Sequence, residues 1–249
     1  MTVLAKIPKA QRRFGSIAPS GRGVVLSALH PAHRAGRSLF PSRVFEPGEV
    51  ARVLKDGMQS RKIGKVVAKG HRRGWPIFTL TLEERASCPR RCTAWSVCYG
   101  NNMQAAERVV HGAALIQRLD AELAALQIQH PSGFLVRLHV LGDFWSTDYV
   151  AAWRRWLERF PALAVFGFTA HPADSAIGAA IAAVGSVHWD RWHIRFSGAT
   201  GGTMAARLVG PGQIDLDAVL CPAQTGATDC CATCALCWQS TRSIAFRRH

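Results

Sequence analysis

Short apolar runs alternate with longer amphipathic segments along residues 76–224 of this sequence. The short runs are rich in β-branched and aromatic residues, a composition that predicts β-strands. These predicted strands cover residues 76–82, 134–142, 162–170, 192–199 and 217–224. Between them, apolar residues recur at steps of three and four, which predicts helices with one buried face. The first helix is expected to be capped by Asn101 or Asn102 and to bury Val109, Ala113, Ile116, Leu119, Leu123 and Leu126.

The alternation of nearly continuous apolar strands with helices predicts a parallel α/β sheet. The predicted strand–helix units are too few for a closed eightfold barrel, so we expect a partial (βα) barrel or an open parallel sheet. Both architectures place functional residues in the loops at the carboxyl ends of the strands. The loops concerned begin near Cys88, Gly142, Thr169, Ser197 and Cys221.

Positive charge is concentrated in the first 75 residues. They contain 16 Lys and Arg against 3 Asp and Glu, a net charge of +13 out of +15 for the whole chain. This part is also rich in Pro, Gly and Ser, which predicts a basic, irregular N-terminal extension (1–75) joined to an α/β domain (76–249). A basic segment favours a polyanion through counterion release, so we expect residues 1–75 to bind nucleic acid.

The hydropathy pattern disfavours membrane and secreted proteins. No apolar run approaches the roughly 18 residues of a membrane span, and no apolar signal-peptide core follows the basic first residues. We therefore expect a cytoplasmic protein with reduced cysteines, in which clustered thiols indicate metal or redox chemistry. Hydrolase motifs such as His-Glu-x-x-His are absent. The sequence does not indicate an oligomeric state.

Three cysteines, Cys88, Cys92 and Cys98, follow the first predicted strand with the spacing Cys-x3-Cys-x5-Cys. Zinc usually takes four ligands that are supplied as close pairs, and this loop contains no Cys-x2-Cys pair. A [4Fe–4S] cluster held by three thiolates would leave its fourth iron for a substrate or cofactor. The first set therefore favours an iron–sulfur cluster with one open iron, with zinc as the alternative.

The other five cysteines lie near the end of the sequence. Cys231, Cys234 and Cys237 have the ferredoxin-like spacing Cys-x2-Cys-x2-Cys, and Cys221 lies upstream in a Cys-Pro step. Four thiolates would complete a second [4Fe–4S] cluster, and zinc is the alternative at this C-terminal site. Cys230 is either spare or competes with Cys231. One late cysteine could also complete the first cluster, so the grouping of the two sets stays open.

A three-cysteine loop after the first strand of a partial barrel resembles the radical S-adenosylmethionine (SAM) superfamily. Its common motif is Cys-x3-Cys-x2-Cys, and the second gap is three residues longer here. The resemblance implies that SAM binds the open iron and that Gly142 and Asp143 stand in for the Gly-Gly-Glu turn of that superfamily. It also implies polar SAM contacts from Thr169 and Ser197, an electron donor, and a radical that abstracts hydrogen from a substrate.

A second resemblance spans roughly residues 76–249. The segments SCPRRCTAWSVCYGNN, LHVLGDFWSTDYVAAW, FGFTAHP and CPAQTGATDCCATCALCW are similar to the gene product 88-like family of phage and prophage proteins. That family implies a phage-type metalloprotein and little about its substrate.

Several polar and aromatic residues near the strand ends are candidates for function. Asp143 and His171 are candidate catalytic residues, and Asp143 would equally suit the N-terminal cap of the next helix. Tyr99 is a candidate for stacking on an adenine or a base, together with Trp95 and Trp145. These features favour a radical SAM-like enzyme acting on a nucleic acid or a nucleotide-related substrate. The alternative is a non-enzymatic nucleic-acid-binding protein stabilised by iron–sulfur clusters or zinc.

Overall fold

The structure is a computed structural model that describes residues 24–60, 62–199, 204–210, 212–213 and 215–247. Its strands are β1 (Val44–Phe45), β2 (Leu54–Asp56), β3 (Ile77–Leu80), β4 (Arg108–Val109), β5 (Phe134–Leu138), β6 (Leu163–Thr169), β7 (Trp192–Ser197), β8 (Ala205–Val209), β9 (Ala218–Leu220) and β10 (Ser243–Arg247). Eight of them form one sheet in the order β2-β3-β5-β6-β7-β8-β10-β9, and β1 pairs with β4 in a small second sheet.

Seven neighbouring strands of the large sheet run parallel, and only the edge strand β2 is antiparallel to its neighbour. Within the described residues the sheet keeps two free edges and does not close into a barrel. The predicted α/β class is confirmed in its open, mostly parallel form. Because the parallel strands all end at the same edge, the loops after β3, β5, β6, β7 and β9 share that edge, as predicted.

The helices of the described part are α1 (Pro31–Ala35), α2 (Ala113–Gln129), α3 (Thr147–Arg159), α4 (Ala176–Val187), α5 (Pro222–Thr225), α6 (Cys231–Cys234) and α7 (Leu236–Gln239). The long helices α2, α3 and α4 cover one face of the sheet, where Leu119, Trp153 and Ile181 share a buried cluster with Val136 and Val165. Burial of each such side chain contributes about 1.5–3 kcal/mol. Among the described helices, none combines the length and apolar composition that a membrane crossing requires.

The first long helix begins later than predicted. Residues Tyr99–Asn102 form a 3-10 turn, and α2 starts only after Gly112. Asn101 does not cap this helix, because its side-chain amide donates to the carbonyls of Val24 (2.8 Å) and Ser96 (3.0 Å). The buried face of α2 consists of Leu115, Leu119, Leu123 and Leu126.

The opposite face of the sheet is covered by the C-terminal cysteine segment and by residues 62–75. Trp238 of α7 is fully buried against Phe166 of β6, with ring centroids 4.6 Å apart. Backbone hydrogen bonds join the two covering segments: Ala232 N–H donates to Ile63 O (2.9 Å), and Ala68 N–H donates to Ala232 O (2.9 Å). The second cysteine set therefore lies on the face that the long helices leave open.

The described part of the predicted N-terminal extension packs onto the α/β domain. It contributes β2 to the sheet and places Leu26, Val53 and Val67 among the buried residues. Residues 1–23 lie outside the described residues, and the division of the chain at residue 75 stays a prediction.

Candidate metal centre

Three parallel strands end side by side and bring the predicted site loops together. Leu82 N–H, after β3, donates to Leu141 O, after β5, at 3.0 Å. Ala170 N–H, after β6, donates to Asp143 Oδ2 at 2.7 Å. The loops that follow β3, β5 and β6 are therefore in direct contact, and the first cysteine set lies on the first of these loops.

The first cysteine set lies on a loop of successive tight turns. The N–H groups of Cys88, Cys92 and Trp95 each donate to the carbonyl three residues earlier, at 3.0–3.2 Å. Burial raises the pKa of Cys88 and Cys92, and it raises the pKa of Cys98 to about 11. Such thiols are protonated and weakly nucleophilic at neutral pH, whereas coordination to a metal would deprotonate them. Without a metal, these thiols are therefore poor nucleophiles at neutral pH.

A buried ionic network, which no sequence motif predicted, holds this loop. Glu84 and Arg108 are both fully buried, and Arg108 Nε lies 2.6 Å from Glu84 Oε2. The Arg108 guanidinium also donates to the carbonyl oxygens of Gly100 (3.1 Å), Met103 (3.1 Å) and Ala106 (2.6 Å). The ion pair therefore fixes the backbone on both sides of the three cysteines.

The neighbours of this pair anchor the loop to the rest of the chain. Arg85 is buried with a φ of 67° and donates to the Trp95 carbonyl at 3.1 Å. Glu83 accepts a hydrogen bond from Ser38 N–H at 3.1 Å, which joins the N-terminal segment to the loop. An acidic pair directly after a buried strand and shortly before Cys88 was the sequence signal available for this network.

Asp143, a predicted catalytic and cofactor-binding residue, is a buried centre of hydrogen bonds. Its carboxylate accepts hydrogen bonds from the N–H groups of Phe144 (2.8 Å) and Ala170 (2.7 Å). Burial raises its pKa to about 6, while these hydrogen bonds act in the opposite direction. Asp143 does not cap α3, since Ser146 is the cap. The carboxylate therefore ties the ends of β5 and β6 together.

The other predicted site residues divide into two groups. His171 and Thr169 join the Asp143 group, because His171 Nε2 bonds to Phe144 O (2.7 Å) and His171 N–H donates to Thr169 Oγ1 (3.1 Å). Ser197 and Tyr99 have exposed side chains: Ser197 ends β7, and Tyr99, which is 48% exposed, opens the turn after the third cysteine. The first group is engaged within the protein. Ser197 faces solvent, whereas Tyr99 exposes only part of its side chain, since burial raises the pKa of its hydroxyl group.

Gly142, which the SAM resemblance assigned to the cofactor, is required by the backbone. Its φ is 85°, and an added Cβ atom would lie 2.5 Å from Ser87 Oγ and 2.6 Å from Leu82 Cβ. Because Ser87 directly precedes Cys88, a larger residue at position 142 would push against the cysteine loop.

We expect Gly142→Ala to lower the free energy of unfolding by about 1–3 kcal/mol more than Gly74→Ala. Gly74 also has a positive φ, of 91°, but no heavy atom lies within 4 Å of the added Cβ, so it isolates the cost of the backbone conformation. Urea unfolding of both variants measures the difference. Equal destabilisation would show that the contact with Ser87 and Leu82 does not matter.

The second cysteine set surrounds one cavity. Its lining includes Cys221, Cys231, Cys234 and Cys237, the four predicted ligands, and its volume is about 10 Å³, close to the space that a single water needs. Burial raises the pKa of Cys231 and raises that of Cys237 to about 11. These thiols also act electrostatically on one another. The structure therefore brings together the four cysteines that the spacing had grouped.

Adjacent cysteines in this segment have different surroundings. Cys230 is fully buried in the apolar cluster that contains Trp238, and its sulfur lies 3.6 Å from Thr233 Oγ1. Cys231 lines the cavity, and its N–H donates to Lys62 O at 2.8 Å. These surroundings favour Cys231 over Cys230 as a ligand, a choice that the sequence left open.

Arg195 of β7 fixes the end of this segment. It is fully buried and donates to the carbonyls of Arg242 (2.6 Å), Ser240 and Leu236. Burial lowers the pKa of Arg195, and the charge of Cys237 acts in the opposite direction. A guanidinium beside the cavity compensates negative charge when the thiols are deprotonated.

A zinc ion and a [4Fe–4S] cluster place different demands on the thiols. Zinc needs every ligand about 2.0–2.3 Å from one point. Each thiolate of a [4Fe–4S] cluster binds a different iron, so its sulfurs are spread around the cluster. Among the described residues, no three His, Cys, Asp or Glu side chains lie close enough together to hold one metal ion, and four thiols line the cavity. The choice between a cluster and zinc at this site stays a prediction.

Comparison with known proteins shows that part of the chain is similar to a known family. No curated protein and no solved structure matches the chain. The family model described as Gene product 88 matches residues 53–175, which include β2 and the first cysteine set but not the second. The match gives no support to the radical SAM resemblance. Over the segment that carries the three-cysteine loop, the chain is thus similar to the gene product 88 family, as the sequence motifs predicted.

Proposed function

We propose that the chain is an iron–sulfur protein with two cluster sites that acts as a radical SAM-like enzyme on a nucleic acid or a nucleotide-related substrate. The observation that carries the proposal is the separation of seven thiols into three on a strand-end loop and four around one cavity. Four thiolates complete a [4Fe–4S] cluster. Three thiolates leave one iron of such a cluster open for another ligand.

Each thiol set has its own assignment in this proposal. Cys88, Cys92 and Cys98 hold the open cluster, and the closed cluster is held by Cys221, Cys231, Cys234 and Cys237. When bound, a cluster with an open iron and SAM would supply a carbon radical for hydrogen abstraction, using one electron from a donor and releasing methionine. The protein positions the reactants and excludes water. The closed cluster would receive single electrons from a donor protein.

The residues around the first set have positioning roles. The Glu84–Arg108 pair holds the cysteine loop, and Asp143 holds the strand ends beside it. Tyr99 and Ser197 keep exposed side chains near the same edge, so they are the predicted residues that can contact SAM or the substrate.

A nucleic-acid partner is supported by the charge of residues 1–75, which is +13. In the described part of this region, Lys69 and Arg73 are exposed. Gln239 Nε2 donates to Lys69 O at 2.9 Å, which places these cations next to the second cysteine segment. A polyanion bound there would lie close to the proposed clusters.

One observation favours the non-enzymatic alternative. Asp143 and His171, the two candidate catalytic residues, are both engaged with backbone groups of neighbouring loops. Hydrogen bonds from side chains to the backbone of neighbouring loops are typical of residues that stabilise the fold. In that case the clusters or zinc ions would stabilise the domain, and the basic region would bind nucleic acid.

Electron paramagnetic resonance after anaerobic reconstitution with iron and sulfide separates the two functions. The dithionite-reduced protein is expected to show two cluster signals, one of which changes when SAM is added, with release of 5′-deoxyadenosine and methionine. Cys88→Ala is expected to lose only the SAM-sensitive signal, and Cys230→Ala, the matched control, is expected to keep both.

Two results would contradict this proposal in different ways. Bound iron and sulfide with neither a SAM-dependent signal nor 5′-deoxyadenosine, even with a nucleic acid present, would leave the metal-stabilised binding protein. Stoichiometric zinc at both sites would remove both cluster assignments.

A further inference from the structure

Two phenylalanine rings meet on the face of the sheet that the long helices do not cover. They lie close to the edge where the parallel strands end. Phe168 is the penultimate residue of β6, and Phe246 is the penultimate residue of β10. Their centroids are 5.5 Å apart and their planes are inclined by 79°, an edge-to-face contact. Both rings are only half-buried, so each keeps apolar surface available to a ligand.

A cation lies over each of these rings. The Arg137 guanidinium carbon is 4.7 Å from the Phe168 centroid, and Lys62 Nζ is 4.8 Å from the Phe246 centroid. Arg137 and Lys62 come from different parts of the chain, and both are half-buried. The four side chains form a continuous row in which two cations flank two rings, and we call this row the cation–ring surface.

The charges of this row are not neutralised within the described part of the chain. No carboxylate lies within 4.0 Å of the charged nitrogens of Lys62 or Arg137 among these residues. Arg137 Nη1 donates to Leu138 O, which uses one of its five N–H groups. By contrast, Arg43 lies over the Phe45 ring and also pairs with Glu107. The cation–ring surface can therefore receive an anion.

This surface adjoins the second thiol set. The Lys62 carbonyl accepts the hydrogen bond from Cys231 N–H at 2.8 Å, so Lys62 adjoins the four-cysteine cavity. The Arg137 guanidinium carbon also lies 5.7 Å from the Phe166 centroid, and the Phe166 ring packs against Trp238, which directly follows Cys237. A ligand on the surface would lie beside the proposed closed cluster.

We propose that the cation–ring surface is the substrate-binding site and that it binds a nucleotide, with the base against Phe168 and Phe246 and the phosphate near Lys62 and Arg137. Inorganic phosphate would leave the rings unused, and a neutral aromatic molecule would leave both cations unpaired. A base that carries a phosphate satisfies both features. The placement beside a metal centre rests on the proposed function, whereas the binding itself does not.

Titration calorimetry with AMP as the probe tests this proposal on the anaerobically purified protein, with the iron content measured beside it. AMP is expected to bind at least about tenfold more tightly than adenosine or inorganic phosphate. Lys62→Met removes a charge-assisted contact and is expected to weaken AMP binding about tenfold. Phe246→Leu is expected to weaken it at least about fivefold. Added SAM is expected to leave AMP binding unchanged, because SAM belongs at the first cysteine set.

Matched controls make the outcome decisive. Lys65→Met removes an exposed lysine near Asp56, and Phe45→Leu removes the ring under Arg43; both should leave AMP affinity unchanged. Unchanged melting temperatures and iron contents would show that the site variants fold. Absent AMP binding, equal effects of the controls, phosphate that binds as tightly as AMP, or displacement of AMP by SAM would each overturn the proposal. AMP binding without iron would preserve it and contradict only the proposed function.

Discussion

Glu84→Gln is expected to lower the free energy of unfolding by about 3–5 kcal/mol. The substitution keeps the shape of the side chain and removes the charge that faces Arg108, with both partners fully buried and 2.6 Å apart. A guanidinium without its counter-charge cannot regain hydration inside the protein, so most of its desolvation cost stays uncompensated. We also expect the cysteine loop to loosen, because Arg108 fixes the carbonyls that follow Cys98.

Glu158→Gln is the matched control for this prediction. Glu158 pairs with Arg154 at 2.9 Å, but the side chains are 47% and 55% exposed. Water and salt screen such a pair, so its loss is expected to cost no more than about 1 kcal/mol. Urea unfolding of the two variants under the same reducing conditions measures the contrast. If Glu84→Gln and Glu158→Gln lower the free energy of unfolding equally, the buried Glu84–Arg108 pair does not stabilise the cysteine loop.

Cys231→Ala is expected to remove about four iron atoms per chain, whereas Cys230→Ala is expected to keep them. The two residues are adjacent and both contact the apolar cluster around Trp238, but of the two it is Cys231 that lines the four-cysteine cavity. Loss of one of four ligands leaves an iron without its thiolate. Quantification of iron and sulfide in both variants after anaerobic purification measures the effect.

Two outcomes for the Cys230→Ala and Cys231→Ala variants would contradict this prediction. If Cys230→Ala loses the iron and Cys231→Ala retains it, the cavity is not the cluster site. If neither variant changes the iron content, the second set holds no iron. Cys230→Ala should also cost some stability, because its sulfur fills space in a closely packed cluster.

The sheet could be predicted from the sequence because parallel strands buried on both faces are short, apolar and β-branched. Residues 134–142 and 162–170 contain β5 and β6 as expected. The strands β8 and β10 were not predicted, because each has only five residues and small residues and one arginine interrupt its apolar pattern. The start of α2 was misplaced because Asn101 bonds to distant carbonyls instead of capping a helix.

The cysteine groups were predictable from spacing alone, whereas their supports were not. Cys-x2-Cys-x2-Cys places thiols on one side of a short helical segment, and the cavity contains those residues. The Glu84–Arg108 pair joins residues 24 positions apart, a distance that no local pattern reveals. Similarly, the basic stretch that includes Lys62 was assigned to nucleic-acid binding, and the structure also places it against the second cysteine segment.

Iron, acid-labile sulfide and zinc, measured in the anaerobically purified wild-type protein, decide whether the chain holds iron–sulfur clusters. Two [4Fe–4S] clusters correspond to about eight iron and about eight acid-labile sulfide per chain, with little zinc. Cys88→Ala is expected to keep about half of that iron. About two zinc per chain without sulfide, or no bound metal in either protein, would show that neither cluster forms.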